Sequence, residues 1–110
     1  MQTPVEIDFE DVPPDKSLRE NIAKHIVQLE ERFGRIVAGR VVLKGPGKHH
    51  RTGGLYEINI WLTLPEGREV VVDHTPQNDE RYSDLNFSIN DTFKRARRQL
   101  QDQVRKMQGR

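Results

Sequence analysis

The sequence predicts an α+β fold in which a four-stranded mixed sheet carries two helices packed on one face. The chain of 110 residues has room for one domain with one hydrophobic core. Segments with strand-like alternation and segments with helical spacing of apolar residues follow one another in the order β-α-β-β-β-α. A two-layer sandwich of helices on sheet is the natural way to bury the apolar faces of such a set.

The spacing of apolar residues changes from every second residue in the first predicted strand to helical spacing in the first predicted helix. Residues 5–9 alternate apolar and acidic side chains, which is typical of a strand with one buried face, and two prolines follow. Asp15 is a suitable N-cap for a helix over residues 16–33, and Gly34 is placed to close it. Because this helix connects the first two strands, we expect them to be parallel with a right-handed crossover.

Three further strands and a long helix complete the predicted fold. Residues 36–44 and 55–64 are rich in β-branched or alternating apolar side chains and predict the second and third strands. The turn Pro-Glu-Gly at 65–67 leads into a fourth strand, which should form an antiparallel hairpin with the third. Asp84 is a suitable N-cap for the last helix, whose apolar stripe continues for about six turns.

Several classes of protein are excluded or disfavoured by composition and motif. No apolar run is long enough to span a membrane and no leader pattern is present, which predicts a cytoplasmic protein without a membrane partner. The chain has no cysteine, so disulfides, thiolate metal sites and cysteine nucleophiles are absent. Phosphate-loop, dinucleotide and nucleophile-elbow motifs are also missing, and we expect no enzyme activity, no cofactor and no small-molecule substrate.

Charge is segregated along the chain although the net charge is only +1. Residues 1–33 contain eight acids and four bases, a balance of −4. Residues 94–110 contain seven bases and one acid, a balance of +6. A polyanionic partner therefore fits the C-terminal segment, whereas the protein as a whole is not uniformly basic.

The bases of the last helix fall into a pattern. At about 100° per residue, Lys94, Arg98 and Arg105 lie within roughly 40° of one another, away from the apolar stripe. We call these three residues the basic ridge. Such a face is either simply solvated or neutralises phosphates of a nucleic acid, and the segregation of charge favours the second interpretation. Arg95 and Lys106 form a second row of cations beside the ridge, interrupted by Asp102, and Arg97 lies near the edge of the apolar stripe.

A basic, glycine-rich loop lies between the second and third strands. Its sequence, GPGKHHRTGG at 45–54, has four glycines and one proline and predicts a mobile finger. Such a loop either serves solubility or follows a nucleic-acid groove. The adjacent histidines lack further ligands at a recognised spacing, so we expect no metal site. The basic tip comprises Lys48, His49, His50 and Arg51.

Trp61 is predicted to lie on the uncovered face of the sheet, opposite its neighbours Ile60 and Leu62. Two interpretations are open from the sequence. The ring either stacks on a nucleic-acid base or covers the back of the sheet.

Four segments together resemble the hibernation-promoting factor family, also called ribosome-associated inhibitors or sigma-54 modulation proteins. They are LEERFGRI, HHR before the third strand, the hairpin IWLTLPEGREVVV and FKRARRQLQDQVRK. The resemblance extends over roughly residues 3–107 and is that of a short family member. It implies a domain similar to a double-stranded-RNA-binding fold, docked in the tRNA and mRNA path of the small ribosomal subunit and keeping idle ribosomes inactive.

The resemblance also implies which residues contact ribosomal RNA. On the last helix they include the basic ridge, in agreement with the pattern of charge alone. A departure from the family pattern follows Asp84, where the aromatic Phe87 stands one position later than the usual tyrosine. The alternative function is a protein-interaction module that regulates transcription, as the sigma-54 name suggests. The residues matched to the family's RNA contacts are His50, Arg51, Lys94, Arg97, Arg98, Arg105 and Lys106.

Overall fold

The computed structural model describes residues 4–45, 55–74 and 80–108. Within these ranges the predicted order of elements is confirmed. Strand limits differ by one or two residues from the predicted ones because the outermost residues leave the regular ladder, although Val37 N still donates to Thr63 O at 2.8 Å. The elements are β1 (Val5–Glu10), α1 (Lys16–Phe33), β2 (Ala38–Lys44), β3 (Glu57–Thr63), β4 (Glu69–His74) and α2 (Leu85–Gln108).

The four strands form one mixed sheet in the order β1-β2-β3-β4. β1 and β2 are parallel, with Ile7 beside Val41. The other two pairs are antiparallel, and Val41, Ile60 and Val72 continue the same row across the sheet. Side chains alternate between the two faces of a strand, so this row lies on one face. The predicted mixed sheet is confirmed.

The hydrophobic core lies between that face of the sheet and the two helices. α2 contacts β3, β4 and α1. Ile22 and Ile26 of α1 are buried with Ile89 and Phe93 of α2 in the same apolar cluster as the sheet residues. Each side chain of this size contributes about 1.5–3 kcal/mol on full burial. Neither helix in the described part of the chain combines the length and apolar character needed to cross a membrane.

Both predicted N-caps are confirmed. The carboxylate of Asp15 accepts hydrogen bonds from the hydroxyl and the backbone N–H of Ser17, both at 2.8 Å. These bonds favour the charged form and lower the pKa of Asp15, the hydroxyl bond being the larger cause. Asp84 Oδ1 accepts from Asn86 N at 2.9 Å. Gly34 closes α1 with φ of 100°, a conformation that favours glycine.

A polar cluster holds the start of α2. Tyr82 is only 5% exposed, and its hydroxyl donates to the Asp91 carboxylate. Arg95 donates to both groups, from Nε to Asp91 Oδ2 at 3.2 Å and from Nη2 to the Tyr82 hydroxyl at 3.4 Å. Phe87 meets the Tyr82 ring edge-on at 5.4 Å between centroids. Burial, followed by the bond to Asp91, raises the pKa of Tyr82.

This raised pKa predicts a loss of stability in alkali. The folded state holds the phenol proton more tightly than the unfolded chain, whose tyrosine has the ordinary pKa of 10.0. The contribution of the Tyr82 phenol to the free energy of unfolding is therefore complete below pH 10.0 and is lost as the pH rises through the raised pKa. When urea unfolding is measured from about pH 8 to about pH 11, the free energy of unfolding should fall more steeply for the unaltered protein than for Tyr82→Phe. Parallel curves for the two proteins would contradict this expectation.

At Gly45, the backbone that follows β2 lies close to the backbone at the end of β1. Its N–H donates to Glu10 O at 2.7 Å. Asp11, which follows β1, has φ of 56° in the left-handed region. A Cβ at Gly45 would lie 2.9 Å from the carbonyl carbon of Asp11 and closer still to its oxygen. Only glycine fits this position without displacement of the Asp11 backbone.

Gly45→Ala is therefore expected to lower the free energy of unfolding by about 1–3 kcal/mol, the usual cost of overpacking. Gly39→Ala is the matched control, since a Cβ there meets the movable Leu62 Cδ2 at 3.3 Å and should cost less. Urea denaturation of the two variants measures the difference. If Gly45→Ala lost no more unfolding free energy than Gly39→Ala, the contact between Gly45 and the Asp11 backbone would not constrain the fold.

Candidate nucleic-acid interface

The basic ridge predicted on α2 is exposed. Lys94, Arg98 and Arg105 all lie at the surface of the helix layer, and Arg97 beside them is exposed as well. Among the described residues, the ion pairs involve none of these four side chains. Because no carboxylate neutralises them there, their charge is available to a polyanion.

The remaining predicted bases fall into two groups. Arg95 is held by Asp91 and Tyr82 and therefore serves to fix α2, so it does not form part of a free second row of cations. Lys106 belongs to α2, but its side chain lies outside the described residues. The tip of the basic loop also lies outside them, namely Lys48, His49, His50 and Arg51.

A cleft of about 590 Å³ between α1 and α2 extends the basic surface, and sequence reasoning missed it. His25 of α1 stacks on Phe93 of α2 with ring centroids 4.6 Å apart and planes within 5°. His25 Nε2 lies 2.8 Å from Asn90 Oδ1 and donates to it in the tautomer that carries the proton there. The residues that line the cleft are His25, Gln28, Leu29, Glu31, Arg32, Asn90, Phe93, Lys94 and Arg97.

The face of the sheet opposite the helices has the opposite charge among the described residues, although Val42 and Asn59 on it are buried. The two bases that the described strands place on it are both paired, Arg40 with Asp8 at 2.9 Å and Lys44 with Glu57 at 3.3 Å. The strand registers and the alternation of side chains place six acids on this face. They are Glu6, Asp8, Glu10, Glu57, Glu69 and Asp73. Among the described residues, negative charge thus lies on this side of the sheet and the exposed cations of α2 lie on the other.

Trp61 lies on this acidic face and is 37% exposed, as its position in β3 predicts. It faces Val71 of β4, which is 39% exposed. The Arg40 guanidinium stands over the ring, 5.7 Å from its centroid, while it binds Asp8. The surrounding acids favour the interpretation that Trp61 covers the back of the sheet over the one in which it stacks on a base.

The described part of the chain offers no obvious place for a metal ion. No group of three or more histidine, aspartate or glutamate side chains is arranged there to hold one. The cleft and the basic ridge present cations, the side-chain amides of Gln28 and Asn90, the carboxylate of Glu31 and one aromatic stack, and such groups are suited to binding.

Comparisons with known proteins agree with this fold. The family model for sigma 54 modulation protein / S30EA ribosomal protein matches residues 5–108. The crystal structure of the N-terminal domain of Protein Y from Thermus thermophilus is similar, with a TM-score of 0.66 and 22% sequence identity. That likeness covers 91% of this chain and 96% of the other. No curated protein matches the sequence significantly.

Proposed function

The chain belongs to the sigma 54 modulation protein / S30EA ribosomal protein family, and from this membership we propose that it is a ribosome hibernation factor. It binds the small ribosomal subunit in the tRNA and mRNA path and keeps idle ribosomes inactive. Its place of action is the cytoplasm, where the ribosomes are. The action is steric and requires no catalytic step.

The observation that carries this proposal is the basic ridge of α2, whose exposed bases form no ion pair within the described part of the chain. From Lys94 to Arg105 the helix rises about 16 Å, which is long enough to meet more than one phosphate of an RNA strand. Each cation that binds a phosphate releases a condensed counterion, and this release drives association. The exposed face of α2 is therefore the side that contacts ribosomal RNA.

The acidic sheet face supports the orientation. A protein with a positive side and a negative side is turned by the field of the RNA as it approaches, so that the helix layer leads. Once α2 lies on RNA, the sheet faces away from the phosphates. The body of the domain then fills the space that tRNA and mRNA need.

One observation favours a second candidate, a protein-interaction module that regulates transcription. Trp61 and Val71 form an exposed apolar pair within the acidic face, and exposed aromatic residues often anchor protein partners. Binding through this face would depend on Trp61 and would leave the ridge free. Variants therefore distinguish the two candidate functions: the ribosomal function depends on the basic ridge, and the protein-interaction function depends on Trp61.

Charge reversal of the ridge tests the favoured function. The triple variant Lys94→Glu, Arg98→Glu and Arg105→Glu should reduce co-sedimentation with purified small subunits on sucrose gradients by at least about tenfold. The reason is that three phosphate contacts become three repulsions.

The matched control reverses three exposed bases elsewhere, Lys16→Glu, Lys24→Glu and Arg35→Glu, with the same change in net charge. It should sediment with the small subunit nearly as the unaltered protein does. Failure of the unaltered protein to travel with ribosomal particles would refute the function. Equal effects of the two triple variants would refute the assignment to the ridge.

A further inference from the structure

The cleft between α1 and α2 is lined by an aromatic stack, side-chain amides and cations, which are kinds of group that can bind nucleotides. Its volume of about 590 Å³ lies in the range of small-ligand sites, and Phe93 forms a buried apolar floor. His25 lies flat on that floor and is fixed in its plane by the stack and by the contact with Asn90. A ring immobilised in this way presents its other face at little further cost in entropy.

Polar groups surround this aromatic platform. The amide side chains of Gln28 and Asn90 line the cleft and have donors and acceptors that match the edges of nucleic-acid bases. Three cations line it as well, Arg32, Lys94 and Arg97, against the single carboxylate of Glu31. Of the three, Arg32 also stands over the Phe33 ring at 5.5 Å. The balance of charge favours an anionic ligand with a flat, polar-edged ring.

Lys94 connects this cleft with the basic ridge. The same side chain lines the cleft and belongs to the ridge along α2. A nucleic-acid strand that follows the ridge therefore passes the mouth of the cleft. In a duplex every base is paired and stacked, so only an unpaired nucleotide can enter.

We propose that the interhelical cleft accepts one unpaired nucleotide of a bound RNA strand. Its base stacks on the face of His25 that Phe93 does not cover, and Gln28 and Asn90 contact the base edge. Arg97 and Lys94 bind the flanking phosphates. The inference rests on the proposed function, because it assigns a specific element of RNA to the same helix layer.

The test compares single-stranded and double-stranded RNA. The probes are a fluorescein-labelled oligouridine of about nine nucleotides and the same strand annealed to its complement, with affinity read from anisotropy. His25→Ala should weaken binding of the single strand roughly tenfold, since one base stack is lost, and leave the duplex affinity nearly unchanged. His25→Phe retains an aromatic face and should restore most of the single-strand affinity.

A second variant keeps the test valid if His25→Ala does not fold. Gln28→Glu places a carboxylate at the exposed lip of the cleft, outside the core, and should weaken single-strand binding while urea unfolding stays unchanged. Equal losses for single strand and duplex in both variants would overturn the inference, as would the absence of any loss. A third outcome would also overturn the inference: uridine 5′-monophosphate binds saturably, but the affinity for the oligonucleotide does not depend on His25. The cleft would then be a site for a free nucleotide.

The outcome is distinguishable from failure of the proposed function. If the unaltered protein does not travel with ribosomal particles but binds single-stranded RNA through His25, the cleft assignment stands and the ribosomal function falls. If the protein binds small subunits and neither cleft variant discriminates single strand from duplex, the function stands and the cleft assignment falls.

Discussion

The packing of α2 on the sheet is the constraint on which the rest of the structure depends. Ile89, Phe93, Ala96 and Leu100 are buried against β3, β4 and α1, so the rotation of α2 about its axis is fixed. Since residues on the opposite side of a helix must then face solvent, the same packing turns the basic ridge outward. Phe93 has a further role, because it is both a core residue and the surface on which His25 lies.

The sheet separates two surfaces of opposite charge. Acids alternate with apolar residues along β1, so the strand that buries Val5, Ile7 and Phe9 in or beside the core also places its carboxylates on the far face. Arg40 and Lys44 reduce the repulsion among these acids by pairing with Asp8 and Glu57. Charge segregation is thus a consequence of strand period combined with one-sided packing. On the proposed function, the helix layer is the face that approaches RNA and the sheet is the face turned away from it.

Periodicity was sufficient to predict the elements and their order, and the residue types Asp15 and Asp84 predicted the N-caps, because these features depend on neighbours in the sequence. Exposure of Trp61 followed from the same alternation. The interhelical cleft could not be predicted, since His25 and Asn90 are 65 positions apart and their contact depends on how the helices cross. The engagement of Arg95 did have a local signal, as Asp91 precedes it by four residues on the helix. The placement of Tyr82 beneath α2 had no such signal.

The most direct test of this account is the salt dependence of binding to purified small subunits. Log affinity should fall linearly with log salt concentration, and each phosphate contact contributes about 0.7–0.9 to the slope. Neutralising the ridge with Lys94→Gln, Arg98→Gln and Arg105→Gln should make the slope shallower by about two to three units. A slope unchanged by these substitutions would contradict the claim that the exposed face of α2 binds RNA phosphates.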